Sequence, residues 1–213
     1  MLGDESCNQF TFNDWKLFKD KGTFQEEKKS TSYYSPDNKP KFSVKDYGFG
    51  SIFENATLDS CDIKLKNTLN NWIFAPKDFL FISGSTGIGK THICCYAMRK
   101  LHENNISFDA ADIKYLLEKL YLSLDTYGSH YPILNKWKEK QVIIIDDLGS
   151  SKITDWRMEV LLDLIDYRWS NELATLITSN LNMAEIKNNL GLRLSSRLSA
   201  GKIITLNGKD KRL

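Results

Sequence analysis

A chain of 213 residues, 41% of them apolar, has room for one α/β domain and a short appendage with a proper core, and is too short for two full domains. Its 29 basic and 27 acidic residues leave a net charge of +2, so bulk charge does not mark a nucleic-acid binder. The distribution is more telling: from Lys187 onward Arg193, Arg197, Lys202, Lys209, Lys211 and Arg212 face only Asp210, a solvated basic face or a source of phosphate contacts. Cysteines 7, 61, 94 and 95 have no C-x-x-C spacing, which predicts reduced structural thiols rather than zinc or disulfides. No apolar run approaches membrane length, and Asp4 and Glu5 are wrong for a secretory signal, so a cytoplasmic protein without membrane contact is expected.

Residues 1–40 are polar and lysine-rich and read as an N-terminal arm ahead of a core at 41–213. Phe12, Trp15 and Phe18 recur at three-residue spacing, either as a small helix packed on the same chain or as a partner-docking helix. Ser35-Pro36-Asp37-Asn38 and Pro40 supply turns behind it. Tyr47 to Phe53 is glycine-broken and aromatic and reads as a lead-in to the core. Leu58 to Trp72 reads as a helix ending before Pro76, with Ile63, Leu69 and Trp72 packed.

Phe79 to Ile82 reads as a short buried strand, and the following Gly84, Ser85, Thr86, Gly87, Ile88, Gly89, Lys90 and Thr91 fit the phosphate-loop pattern G-x-x-x-x-G-K-[ST] without a mismatch. The glycines allow consecutive N–H groups to face one anion, and a helix starting near Lys90 points its positive end there. Lys90 is then positioned for the β and γ phosphates of ATP, and the Thr91 hydroxyl for Mg²⁺. His92 follows directly, as a packing or hydrogen-bonding residue at the nucleotide site or as a base. Ile93, Cys94, Ala97, Met98 and Leu101 repeat at helical spacing to a stop at Asn104-Asn105. A strand at Ile106 to Phe108 and a helix from Asp112 to Leu124 are predicted next, with Lys114, Lys119 and Tyr121 on its outer side, merely solvated or gripping single-stranded DNA.

Gln141 to Gly149, QVIIIDDLG, places a β-branched buried strand before two carboxylates, at the sheet edge where ligands of open α/β folds bind. Asp146 suits a Mg²⁺ site and Asp147 suits activation of the attacking water. A helix from Thr154 to Ser170 leads to a strand at Ala174 to Thr178 that ends in Ser179-Asn180, whose amide either orients water or caps a turn. Asn182 and Glu185 have capping-box spacing, and a last strand is expected at Lys202 to Leu206.

GSTGIGKT, VIIIDDLG, TLITSNL, LGLRLSSRL and GKDKR, in this order, resemble the nucleotide site of AAA+ ATPases of the bacterial helicase-loader family (DnaC/DnaI-like), with the transposition helper IstB as close kin. The resemblance covers roughly residues 45–213 and omits the arm. It implies a P-loop NTPase of AAA+ type: an α/β fold with a mainly parallel five-stranded sheet flanked by helices, without a full C-terminal helical lid because the sequence stops one residue after Arg212. It also implies that Lys90 and Thr91 hold phosphate and Mg²⁺, that Asp146 is the Walker B metal residue, and that Asn180 is sensor 1. Arg197 looks like the finger that acts in trans on a neighbour's γ-phosphate, with Arg193 as fallback, and Arg212 looks like sensor 2. Asp147 stands where many AAA+ proteins carry Glu, so hydrolysis is expected to be slow without partner, DNA or self-assembly. A zinc module ahead of the core, as in longer loaders, is not expected from an arm with one cysteine.

These expectations describe an ATP-hydrolysing protein of DNA replication that loads a hexameric replicative helicase onto single-stranded DNA. Two alternatives stay open: an IstB-like transposition helper, and a nucleotide-gated interaction protein that captures a helicase with little hydrolysis.

Overall fold

The computed structural model describes residues 42–127, 131–150, 153–208 and 210, the side chains of 123–127 and 131 excepted. The arm with its proposed docking stripe, Cys7 and Arg212 therefore lie outside the described residues. After two short 3-10 turns at Val44–Tyr47 and Ser51–Phe53 come α1 (Ile63–Phe74), β1 (Phe79–Gly84), α2 (Lys90–Glu103), β2 (Phe108–Asp112), α3 (Ile113–Tyr127) and α4 (Tyr131–Glu139). They are followed by β3 (Val142–Leu148), α5 (Asp155–Ser170), β4 (Ala174–Ser179), α6 (Met183–Leu190), α7 (Leu192–Ser199) and β5 (Lys202–Leu206).

The strands form one sheet in the order β2-β3-β4-β1-β5, with every neighbouring pair parallel. Helices cover both faces, which is why β1 and β3 are continuous apolar runs rather than alternating ones. Successive side chains still go to opposite faces. Leu80, Ile82, Val142, Ile144 and Leu176 pack with α1 and α2 through Leu69, Trp72, Ile93 and Met98. Phe79, Phe81, Ile143, Ile145 and Ile177 pack with α3 to α7 through Leu116, Leu134, Leu161, Ile186 and Leu198. This is the expected five-stranded parallel sheet with flanking helices. Among the described residues no helix is long and apolar enough to cross a membrane.

Two local expectations shift, and two helices are additions to them. The first helix begins at Ile63 because the Asp62 side chain caps it, accepting from the Leu65 N–H at 2.8 Å, while Leu58 stays buried in the preceding turn. Ile63 is then 70% exposed and Leu65 takes its place in the core. The second strand starts at Phe108, not Ile106, because the chain is still turning: Asn105 is left-handed and the Ile106 N–H bonds back to Leu101. Helix α4 has no counterpart in the sequence reading, and the segment after Gly191 is a helix, α7. By contrast Asn182 and Glu185 form the expected capping box.

The fold brings the loops after β1, β3 and β4 to one edge. There the β3–β4 register slips by one residue between Ile145 and Leu148, a bulge whose Asp147 has φ 61°. In a regular strand two successive aspartates would point to opposite faces, whereas a bulge re-aims one of them.

Candidate nucleotide-binding site

At this edge lies a cavity of about 630 Å³ whose lining includes Thr86, Gly87, Ile88, Gly89, Lys90, Thr91, His92, Asp146, Asp147 and Asn180. Gly87 and Gly89 have φ of 78° and 105°, left-handed values that let the loop curl before α2 begins at Lys90. A Cβ at 87 would also sit 1.9 Å from Asp210 Oδ1 and displace that carboxylate. Gly84 and Ser85 act through their carbonyls: the buried Lys90 Nζ donates to them at 2.8 and 2.9 Å and to Asn180 Oδ1 at 2.5 Å.

From Lys90 the bonding continues across the strand ends. Asn180 Nδ2 donates to Asp147 Oδ1 at 3.0 Å, a contact that the bulge makes possible, and the Asp147 N–H donates to Thr178 Oγ1 at 3.1 Å. Asn180 is therefore aimed into the site, and the N-cap of α6 is Asn182. Next to this chain the Thr91 hydroxyl donates to Asp146 Oδ2 at 2.7 Å, while Thr178 donates to Asp146 Oδ1. The Cys94 thiol lies 3.6 Å from the same oxygen. Burial raises the Asp146 pKa, opposed by the Thr178 and Thr91 hydroxyls and reinforced by the neighbouring Asp147 charge. Burial also raises Cys94 well above an ordinary thiol, with Asp146 adding to the effect, so it stays protonated. Cys61, Cys94 and Cys95 are all free thiols, and among the described residues no cluster of three or more His, Cys, Asp or Glu is built to cage a metal. One hydroxyl and one carboxylate are the hard oxygen set from which Mg²⁺ is usually held together with substrate phosphates, so the donors fit that ion.

The other half of the cavity is apolar and glycine-rich: Gly48, Phe49, Gly50, Ile52, Phe53, Ser60 and Cys61. This segment is tied to α2. His92 Nε2 lies 2.9 Å from the Thr57 N–H and 2.7 Å from its carbonyl, and the ring meets Phe53 edge-on at 6.4 Å. Arg99 donates to the carbonyls of Glu54 and Ala56. His92 thus acts as a hydrogen-bonding residue that joins the two halves. Sequence reasoning missed Ser60, Cys61, Asp112 and Arg99. Asp112 was legible in principle, since it ends β2 directly opposite Asp146, but the misplaced strand hid it.

Two groups of predicted residues lie elsewhere. Arg193 and Arg197 sit on α7, away from this cavity, and both pair with Asp166 of α5. Lys114, Lys119 and Tyr121 are exposed on α3; Lys119 Nζ lies 4.4 Å above the Tyr115 ring and Tyr121 meets Trp156 edge-on at 5.8 Å.

A model of the IstB-like ATP binding protein family matches residues 38–195. The chain belongs to this family. Among curated relatives it is 29% identical over 109 residues to the replicative helicase loader DnaI of Bacillus subtilis (strain 168), covering 51% of this chain and 35% of that protein. It is 25% identical over 126 residues to the replicative helicase loader DnaC of Escherichia coli (strain K12), covering 58% and 50%. The IstB-like chain thus spans between about a third and a half of these relatives' length. In fold it matches the crystal structure of the DnaC helicase loader with a TM-score of 0.66 at 24% identity, covering 74% of this chain and 100% of that one. It matches AMPPCP-bound DnaA from Aquifex aeolicus with 0.64 at 15% identity, covering 75% and 50%. The fold is the one that these two solved structures share.

Proposed function

We propose that this IstB-like protein binds and hydrolyses ATP with Mg²⁺ and uses that cycle to load a hexameric replicative helicase onto single-stranded DNA in the cytoplasm. The observation that carries the reading is the continuous polar path from Lys90 through Asn180 to Asp147, beside the Thr91 and Asp146 pair, in one nucleotide-sized cavity. Lys90 exchanges loop carbonyls for the β and γ phosphates, and the apolar segment Gly48 to Phe53 receives the base. Thr91 and Asp146 would hold Mg²⁺, which when bound supplies neutralisation of the phosphate oxygens. Asp147, kept in place by Asn180, accepts a hydrogen bond from the attacking water, and the same amide orients that water. Arg197 from a neighbouring copy completes the site in trans, and Arg212 is assigned the sensor 2 role at the nucleotide. Exposed Lys114, Lys119 and Tyr121 offer cations and a ring for a phosphate backbone and its bases.

Calorimetry on the full chain tests the base of this reading: nucleotide uptake that strengthens with Mg²⁺ is expected, and no uptake at all would overturn it. A pull-down then separates the partner classes. Retention of a replicative helicase supports loading; retention of a transposase instead supports the transposition helper, which the family match favours as second reading. Helicase retention with no turnover on single-stranded DNA would leave a nucleotide-gated capture protein in its place.

A further inference from the structure

We propose that Asp166 and Trp169 are positioning residues that hold the Arg197 guanidinium ready for a nucleotide bound by another copy of this chain. This rests on the reading of Arg197 as a trans-acting finger. Arg193 and Arg197 are four residues apart on α7 and so share one face of it. Asp166 and Trp169, three apart on α5, lie opposite that face. Asp166 Oδ1 accepts from Arg197 Nε at 2.8 Å, and its Oδ2 lies 2.5 Å from Arg193 Nη2. The Trp169 ring covers one face of the guanidinium, 4.0 Å from Cζ.

One edge and one face of the Arg197 fork are therefore fixed. Its two terminal nitrogens donate to no other side chain or carbonyl among the described residues, and the side chain is 29% exposed. An arginine loose in water would give up its rotamer freedom on reaching a phosphate, whereas this one has given it up already. The charges also suit an anion. A lone Asp166–Arg197 pair would be neutral, but Arg193 shares the carboxylate and leaves the trio with one net positive charge. Among the described residues α7 contributes nothing to the lining of the cavity around Lys90, so that charge does not serve the site of its own chain. Leu192, 65% exposed on the same helix, gives the surface an apolar contact.

The test measures ATP turnover of the full chain under self-assembling conditions. Asp166→Asn is expected to lower kcat about tenfold at unchanged KM for ATP, and Trp169→Leu to lower it several-fold, with partial recovery in Asp166→Glu. Mixing separates positioning from damage to the fold. Lys90→Ala subunits cannot use nucleotide but carry an intact α5–α7 face, so adding them should restore turnover to Asp166→Asn subunits. Absence of that rescue, an unchanged kcat in Asp166→Asn, or a rise in kcat that shows Asp166 to withhold the arginine, would each overturn the inference. Arg197→Ala keeps the two readings apart. Normal turnover in that variant removes the finger assignment itself, whereas a loss of about a thousandfold beside an unimpaired Asp166→Asn removes only the role of Asp166.

Discussion

At the C-terminal ends of β3 and β4 a buried carboxylate, Asp146, is held by hydroxyl donors, whereas at the opposite ends of the same strands a buried guanidinium, Arg168, is held by carbonyls. Arg168 is fully buried on α5, and each of its nitrogens is used. Nε donates to Thr175 Oγ1 at 2.9 Å; Nη1 donates to the carbonyls of Trp137, Lys138 and Lys140 at 2.8 to 3.0 Å; and Nη2 reaches the Ala174 carbonyl at 2.6 Å. Two of those carbonyls belong to the last turn of α4, which has no intrahelical donors left for them, and a cation there also suits the helix dipole. Burial pulls the Arg168 pKa down to about 9, still high enough to keep the charge at neutral pH. The lesson is in what each end leaves open. Around Asp146 the bonds run between groups that a nucleotide can recruit, beside a cavity; around Arg168 the two terminal nitrogens are spent on backbone carbonyls and Nε on the Thr175 hydroxyl.

The largest expected effect therefore belongs to the end without nucleotide chemistry. Arg168→Leu strands at least three backbone carbonyls, each costing about 1–3 kcal/mol when left unpaired, against roughly 5–15 kcal/mol of total stability for a domain. Urea titration should find the variant unfolded or destabilised by several kcal/mol. Arg168→Lys should fall in between, because one ammonium cannot span acceptors on both sides of a planar fork. A variant as stable as the parent would show that α4 is held by its apolar contacts alone.

At the other end the same kind of deletion should leave the fold and remove the chemistry. Asn180→Ala breaks the path between Lys90 and Asp147, and the loss of one positioned amide is expected to lower assembly-stimulated turnover by about 10²- to 10³-fold. Binding measured by calorimetry should change only a few-fold, and the urea midpoint should barely move. If binding and turnover fell together, Asn180 would be holding the loop rather than the water.

The contrast also separates what was legible in the residues from what was not. β1 and β3 could be read because a strand buried on both faces must be apolar throughout, and each run ends in chemistry with fixed spacing. The phosphate loop, Asp146 and Asn180 followed from that. The bulge did not: nothing in Asp146-Asp147 says that a non-glycine residue will adopt φ 61°, since the conformation is imposed by pairing with β4. Helix α4 was hidden because its stability is tertiary, resting on buried Leu134 and Trp137 and on carbonyls capped by an arginine thirty residues on. Arg168 and Asp166 were hidden for a related reason. A charged residue in an amphipathic helix reads as solvent-facing, and only the packed neighbours decide otherwise.

The smallest effect sharpens the comparison most, because it sets function against stability at a single atom. Burial, the main cause, raises the Asp146 pKa, so the fold favours the neutral acid. Stability from this group is then fully present below the ordinary carboxylate pKa of about 3.9 and is lost as pH rises through the folded value. Asp146→Asn removes the charge while a rotated hydroxyl of Thr91 or Thr178 can still bond the amide. The nucleotide-free variant should melt higher than the parent once the pH lies above that folded value, with the difference shrinking toward about pH 4. Mg²⁺-dependent strengthening of nucleotide uptake should disappear in the same variant. A melting temperature that stays put would mean the hydroxyl donors already offset the burial of the charge, and Asp146 would then match Arg168 in being satisfied by the protein alone.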